Sequence, residues 1–185
     1  MKLLIRGGSV AAGYGAKKNY ADILTERLEK KGVTVINRSR CKETSFDGVR
    51  TFHLDIGAFR PDMLLLHFGI DDAFGYVYRS EFQENIVRMV RLAREEFNPV
   101  VFLATSQTFD NPYDMDAVCL FYRSLQVVAS DLSCVLIPIH FYWANHLLEN
   151  RLTHGQLLQS DARYPNEHGH RVIAQAILAS LNNFL

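Results

Sequence analysis

From Met63 to Phe68 the chain is apolar at every position but His67. A run so short and so nearly unbroken suits a strand covered on both faces, the condition of a central strand in a parallel sheet. Other short apolar runs repeat the signal: Leu3 to Ile5, Val33 to Ile36, Val100 to Ala104 and Cys134 to Ile139. Longer stretches with helical spacing lie between them. Ile23, Leu24 and Leu28 mark a helix over 20–31 that stops before Gly32, and Phe82, Ile86, Met89, Val90 and Ala93 mark another over 80–97, with Ser80 placed to cap it. Val118, Phe121, Leu125 and Val128 form the seam of a third helix over 114–131. The last runs through Val172, Ile173, Ala176 and Ile177 towards Leu181, with Pro165 suited to its first turn. Residues 46–59 carry helical spacing without a clear boundary, and 141–158 read as short helices in a long connection. Strands alternating with helices predict an α/β protein: a flavodoxin-like three-layer α/β/α sandwich with a five-stranded, mainly parallel sheet.

A chain of 185 residues suits one domain spanning 1–185. Hydrophobic residues are 48% and charged residues 22% of the total, which argues against disorder. Twenty basic residues balance twenty acidic ones, so no global field favours nucleic acid or an anionic membrane. Cys41, Cys119 and Cys134 are widely spaced and form no zinc pattern. Their odd number, with an N-terminal apolar run that stops at Arg6, predicts reduced thiols and a cytoplasmic location. No stretch is long enough to span a membrane.

In an open parallel sheet, ligands bind beyond the carboxyl ends of the strands. Ser9, the segment Arg38 to Thr44, Asp71-Asp72, Ser106-Gln107 and His140 all follow predicted strands and can converge on one crevice. Gly7-Gly8-Ser9 is a glycine-rich turn that lacks the Walker ending and the dinucleotide spacing. Its serine is a candidate nucleophile where a base can reach it.

Four segments, each after the appropriate strand or before the last helix, together carry a resemblance. They are Gly7-Gly8-Ser9, Asn37 to Thr44, Gly69-Ile70-Asp71-Asp72 and Asp161-Ala162-Arg163-Tyr164-Pro165-Asn166. In this order they resemble the SGNH hydrolase superfamily, the GDSL-type esterases and lipases, over nearly the whole chain. The resemblance implies ester hydrolysis of a small acylated substrate, with Ser9 as nucleophile and no cofactor or metal. It also implies backbone N–H groups of Ser9 and Lys42 at the oxyanion, Gly69 in the third motif, Asp72 in a structural hydrogen-bonding role, and Asp161 orienting the base.

Four positions depart from the family pattern: Gly8 for aspartate, Lys42 for glycine, Asp71 for asparagine and Tyr164 for histidine. Histidine titrates near neutrality and so can take a serine's proton, whereas tyrosine, with a pKa of about 10, is chiefly a hydrogen-bonding group. An asparagine amide donates to a developing oxyanion, while an ionised carboxylate repels it. The Lys42 ammonium is a candidate partner for Asp71. His168, four residues beyond Tyr164, and His140, after the fifth strand, are candidate substitute bases. His67 reads as a satisfied buried imidazole and His170 as a packing residue. Asp71, Asp72 and Asp161 could also gather around a hard cation, but no metal motif accompanies them. Two outcomes stay open: an ester hydrolase with a substituted base, or a degenerate member that binds an acylated carbohydrate or a protein partner without turnover.

Overall fold

The computed structural model describes residues 1–185. Five strands, β1 (Lys2–Gly7), β2 (Thr34–Asn37), β3 (Met63–His67), β4 (Val100–Ala104) and β5 (Val135–Ile137), form one sheet in the order β2-β1-β3-β4-β5. Every pairing is parallel, with Leu3 opposite Met63 and Val35, and Leu65 opposite Phe102. All five residues of β3 are buried, as a strand covered on both faces requires.

Ten α-helices join the strands: α1 (Ser9–Ala12), α2 (Tyr20–Leu28), α3 (Ser45–Arg50), α4 (Phe52–Asp55), α5 (Ile70–Phe74), α6 (Arg79–Glu96), α7 (Pro112–Asp131), α8 (Ile139–Asn150), α9 (His154–Leu157) and α10 (Glu167–Leu181). On one side of the sheet α2, α8 and α10 enclose a core built on Leu3, Ile5, Tyr20, Leu24, Trp143 and Ile173. On the other, α3, α6 and α7 pack over Leu4, Leu64, Leu66, Phe82, Met89 and Leu125. This is the three-layer sandwich expected from the alternation of strands and helices.

Boundaries follow local chemistry. Asn19 caps α2 by accepting N–H bonds from Ala21 and Asp22, while Asp22 accepts the Asn19 N–H in return. Two expected helix starts shift. Helix α6 begins at Arg79 rather than after Ser80, because the Glu81 carboxylate accepts the Tyr78 N–H. Helix α10 begins after Pro165, because the Asn166 side chain caps it through the N–H groups of His168 and Gly169. Pro165 instead pairs with Leu158 in a short antiparallel bridge. The stretch after β5 holds a continuous twelve-residue helix, α8, more regular than its sequence suggests. No helix is long and apolar enough to cross a membrane.

The sheet order reverses direction between β1 and β3, since β2 lies on one side of β1 and β3 to β5 on the other. A crevice opens at such a point beyond the strand ends. Ser9 follows β1 and Asp71 follows β3, so the topology brings both to it.

Candidate active site

Ser9 opens α1 directly after β1, with its side chain fully buried. Its Oγ donates to Asp71 Oδ1 at 2.7 Å and accepts the Lys42 N–H at 2.7 Å. The Ser9 N–H in turn donates to Asp71 Oδ2 at 2.6 Å. One carboxylate thus takes both donors of Ser9.

Gly8 leaves room for this arrangement. A Cβ at position 8 would stand 2.1 Å from Asp71 Oδ2 and 2.5 Å from the Glu43 carbonyl oxygen. Burial raises the Asp71 pKa above the ordinary carboxylate range, and the two Ser9 hydrogen bonds pull the other way.

Lys42 adopts φ 65°, the left-handed region that favours glycine. Its N–H still reaches Ser9, while its exposed ammonium makes no ion pair with Asp71. A buried network beneath the loop holds it in place. Fully buried Arg6 donates to Glu43, to Thr51 Oγ1 at 3.0 Å and to the Gly7 carbonyl at 3.1 Å, and lies 3.5 Å from Asp55. Arg38 and Arg40 donate to the same Asp55. Sequence reading missed Arg6, because nothing in a strand sequence marks an arginine as buried and paired.

Asp72 has no exposed surface and accepts the N–H groups of Ser45 at 2.8 Å and Gly69 at 3.0 Å, tying α3 to the turn after β3. Burial lifts its pKa to about 6 against those bonds. Gly69 sits at φ 125°, a conformation other residues rarely adopt.

The wall opposite comes from the segment before α10. Tyr164 is buried and packs on Tyr14, with ring centroids 4.6 Å apart. Burial raises its phenol pKa, the Asp71 charge adds to this, and the neighbouring Ser9 hydroxyl opposes it. The Tyr164 N–H donates to the Asp161 carbonyl at 3.1 Å, but the Asp161 carboxylate does not bond the phenol. It accepts from Arg163 Nε at 2.9 Å and Nη2 at 2.6 Å, and this pairing lowers its pKa. Gln107 holds the segment from below, donating to the Arg163 carbonyl at 2.8 Å, and Gln159 ties it to the first loop through the carbonyls of Tyr14 and Pro165. Sequence reading placed Gln107 near the crevice without this role.

A cavity of ≈300 Å³ lies over these groups, lined by Lys42, Thr44, Asp71, Phe74, Arg163 and Tyr164 among others. Ser9 itself is buried and does not line it, but two of its hydrogen-bond partners, Asp71 and Lys42, do.

Residues 6–172 match the model of the GDSL-like lipase/acylhydrolase family. The chain belongs to that family. It is similar to an arylesterase of Vibrio mimicus, 24% identical over 97% of this chain and 88% of that protein. Its fold is similar to that of a catalytic mutant of Axe2, an acetylxylan esterase from Geobacillus stearothermophilus, with TM-score 0.86 and 18% identity over 98% of this chain and 94% of the other. TesA matches over the whole of both chains, with TM-score 0.84 and 22% identity.

In this member of the GDSL-like family the four departures lie around one serine. Gly8 and Asp71 are complementary, since the carboxylate occupies space that a side chain at position 8 would need. No histidine is among the hydrogen-bond partners of Ser9. His168 is exposed in the first turn of α10. His140 bonds Thr105 Oγ1 at 2.8 Å, stacks on Tyr122 and lines a different cavity. His67 bonds the Tyr20 hydroxyl at 3.0 Å inside the core, and His170 is buried beside the same tyrosine. Desolvation lowers the pKa of these two to about 3 and about 4, so both imidazoles are neutral at pH 7. The three acids named as a possible cation site are otherwise engaged: Asp71 by Ser9, Asp72 by backbone N–H groups and Asp161 by Arg163.

Proposed function

We propose that this chain is a slow ester hydrolase for small acylated substrates, in which Ser9 is the nucleophile and Asp71 takes the proton that a histidine takes elsewhere in the family. The observation that carries this reading is the 2.7 Å bond from Ser9 Oγ to Asp71 Oδ1. A candidate base must first be within reach of the proton it removes, and a raised pKa then brings a carboxylate closer to the task. Asp71 has both properties.

In the proposed reaction the Ser9 proton passes to Asp71 as Oγ attacks the acyl carbonyl. The transfer neutralises the carboxylate, so the charge that would repel an oxyanion disappears as the oxyanion forms. Neutral Asp71 then holds the Ser9 N–H less strongly, and the N–H groups of Ser9 and Lys42 become free to turn to the new negative oxygen. The leaving alcohol departs with the proton from Asp71. Water attacks the acyl-serine, giving its proton to Asp71 and releasing the acid, with the proton returned to Ser9. Tyr164, Phe74 and the Arg163 stem line the acyl side, and Asp161 fixes Arg163. Turnover is slow because a carboxylate is a weaker base than imidazole and the amide donor is missing. In other serine hydrolases such losses cost roughly 10⁴–10⁶ and 10²–10³ respectively.

A second reading rests on two further observations: Ser9 has no exposed surface, and Asp71 already occupies its N–H. Both favour a protein that holds a small acylated ligand without turning it over.

Short-chain nitrophenyl esters separate the readings, with Ser9→Ala, Asp71→Asn and Asp71→Asn/Tyr164→His beside the wild type. The hydrolase reading expects slow turnover that both single variants abolish, and a fluorophosphonate adduct on Ser9. Wild-type and Ser9→Ala rates that coincide, with no adduct, would leave the binding reading in its place. Strong activity confined to the double variant would point the same way.

A further inference from the structure

We propose that the outward face of α7 joins two copies of this chain in an antiparallel, two-fold contact. Its inward face packs on the core through Val118, Phe121, Leu125 and Val128. Its outward face should be polar, yet Tyr113, Leu120 and Val127 stand there 84%, 43% and 45% exposed. They recur every seven residues, so they form one straight apolar ridge along a helix about 30 Å long. Asp116 and Arg123 lie on the same face between them. Both are exposed, and neither forms an ion pair within the chain.

The spacing of this face fits a second copy of itself. In an antiparallel pair with its axis at Leu120, the two Leu120 side chains meet and Tyr113 faces Val127 at each end. Asp116 then comes within one residue of Arg123 on the second copy, and the symmetry makes that contact twice. A parallel pair would instead set Asp116 against Asp116 and Arg123 against Arg123. At the rim Asp131 approaches the second copy's Asp110, a like-charge pair that water and salt screen. Phe141 of α8, 63% exposed, extends the apolar surface beyond Arg123, beside a cavity of ≈240 Å³ that Cys119, Tyr122 and Gln126 help to line. One helix pair with these flanks lies near the lower limit of a specific interface, about 1,000 Å², so the dimer is concentration-dependent.

Sedimentation velocity of the full chain from about 1 to 200 µM tests this, since an associating system changes mass over that range. The expected result is a mass rising from one copy towards two. Leu120→Asp, at an exposed position, should hold the chain at one copy with its circular dichroism unchanged. Asp116→Arg and Arg123→Asp should each weaken association by about tenfold, and the two together should restore it, because the exchange rebuilds the pairs with reversed sign. A wild type of one-copy mass throughout, a dimer that survives Leu120→Asp, or single and double charge variants that behave alike would each overturn the proposal.

Discussion

Asp71 accepts two hydrogen bonds from Ser9, one from the hydroxyl at 2.7 Å and one from the backbone N–H at 2.6 Å. Gly8 permits this, since a Cβ there would meet Asp71 Oδ2 at 2.1 Å and the Glu43 carbonyl at 2.5 Å. The absence of a side chain at position 8 and the carboxylate at position 71 therefore form one packing unit. Gly8→Ala should cost about 2–3 kcal/mol, as overpacking against groups that cannot easily yield does elsewhere. In an Asp71→Ala background the cost should fall by about 1 kcal/mol, the coupling expected of residues in contact. It should not vanish, because the Glu43 carbonyl remains. Urea unfolding of the four proteins in this cycle measures the coupling, and strict additivity would refute the shared packing.

Lys42 carries a side chain in a left-handed conformation, φ 65°, where the family places glycine. Strain of this kind costs on the order of 1–3 kcal/mol, and glycine avoids it at an entropic cost of roughly 0.5–1 kcal/mol. Lys42→Gly should therefore stabilise the fold by about 0.5–1 kcal/mol. Lys42→Val should destabilise it by about 1 kcal/mol or more, since a branched Cβ fits this region worst. Thermal unfolding of the two variants gives the order, and a valine variant as stable as the glycine one would remove strain from the account.

The fold was legible because its signal is local and repeated. Met63 to Phe68 had to be a covered strand, and the helical stripes on either side had to pack on its two faces. The approach of Ser9 to Asp71 was legible too, since topology puts the ends of adjacent parallel strands together. The meaning of the Gly8 and Asp71 departures was not, because it depends on where one carboxylate turns among several acceptable rotamers. Asp161 gave the same difficulty: a carboxylate two residues from an arginine can bond it or reach the next loop, and only packing decides. Arg6 was hidden for another reason. Its partners Glu43, Thr51 and Asp55 lie far along the chain, so its burial is a property of the fold rather than of the strand.

Asp55 ties three arginines, Arg6, Arg38 and Arg40, beneath the loop that presents Lys42. Burial alone would raise its pKa, but hydrogen bonds from Arg40 and Arg38, the nearby Thr51 hydroxyl and the Arg6 charge bring it down to about 2. A depressed carboxyl stabilises the fold fully above its unfolded pKa of about 3.9 and loses that contribution as pH falls through the folded value. Acidification from pH 5 to pH 2 should thus remove about 2 kcal/mol through this group. Asp55→Asn leaves Glu43 as the one carboxylate paired with this arginine cluster and should cost about 3 kcal/mol at pH 7. The gap between variant and wild type should narrow on acidification, and denaturant unfolding at both pH values tests it. A gap that stays constant would detach Asp55 from the acid response.

Asp71 also makes a kinetic prediction distinct from that of a histidine-dependent relative. Burial raises its pKa, so the carboxylate that receives the Ser9 proton becomes protonated at a higher pH than an ordinary aspartate, whose value is about 3.9. A protonated Asp71 cannot act as a base, so kcat/KM should fall on the acid side with a midpoint above that value. Neither buried histidine should supply that limb, because His67 and His170 are already neutral at pH 6.5, where a free imidazole titrates, and neither contacts Ser9. In Asp71→Asn/Tyr164→His the imidazole takes over, and the acid limb should move towards pH 6.5. Profiles of nitrophenyl ester cleavage by the two proteins provide the measurement. Activity that persists in Asp71→Asn with the wild-type acid limb unchanged would remove Asp71 from that role.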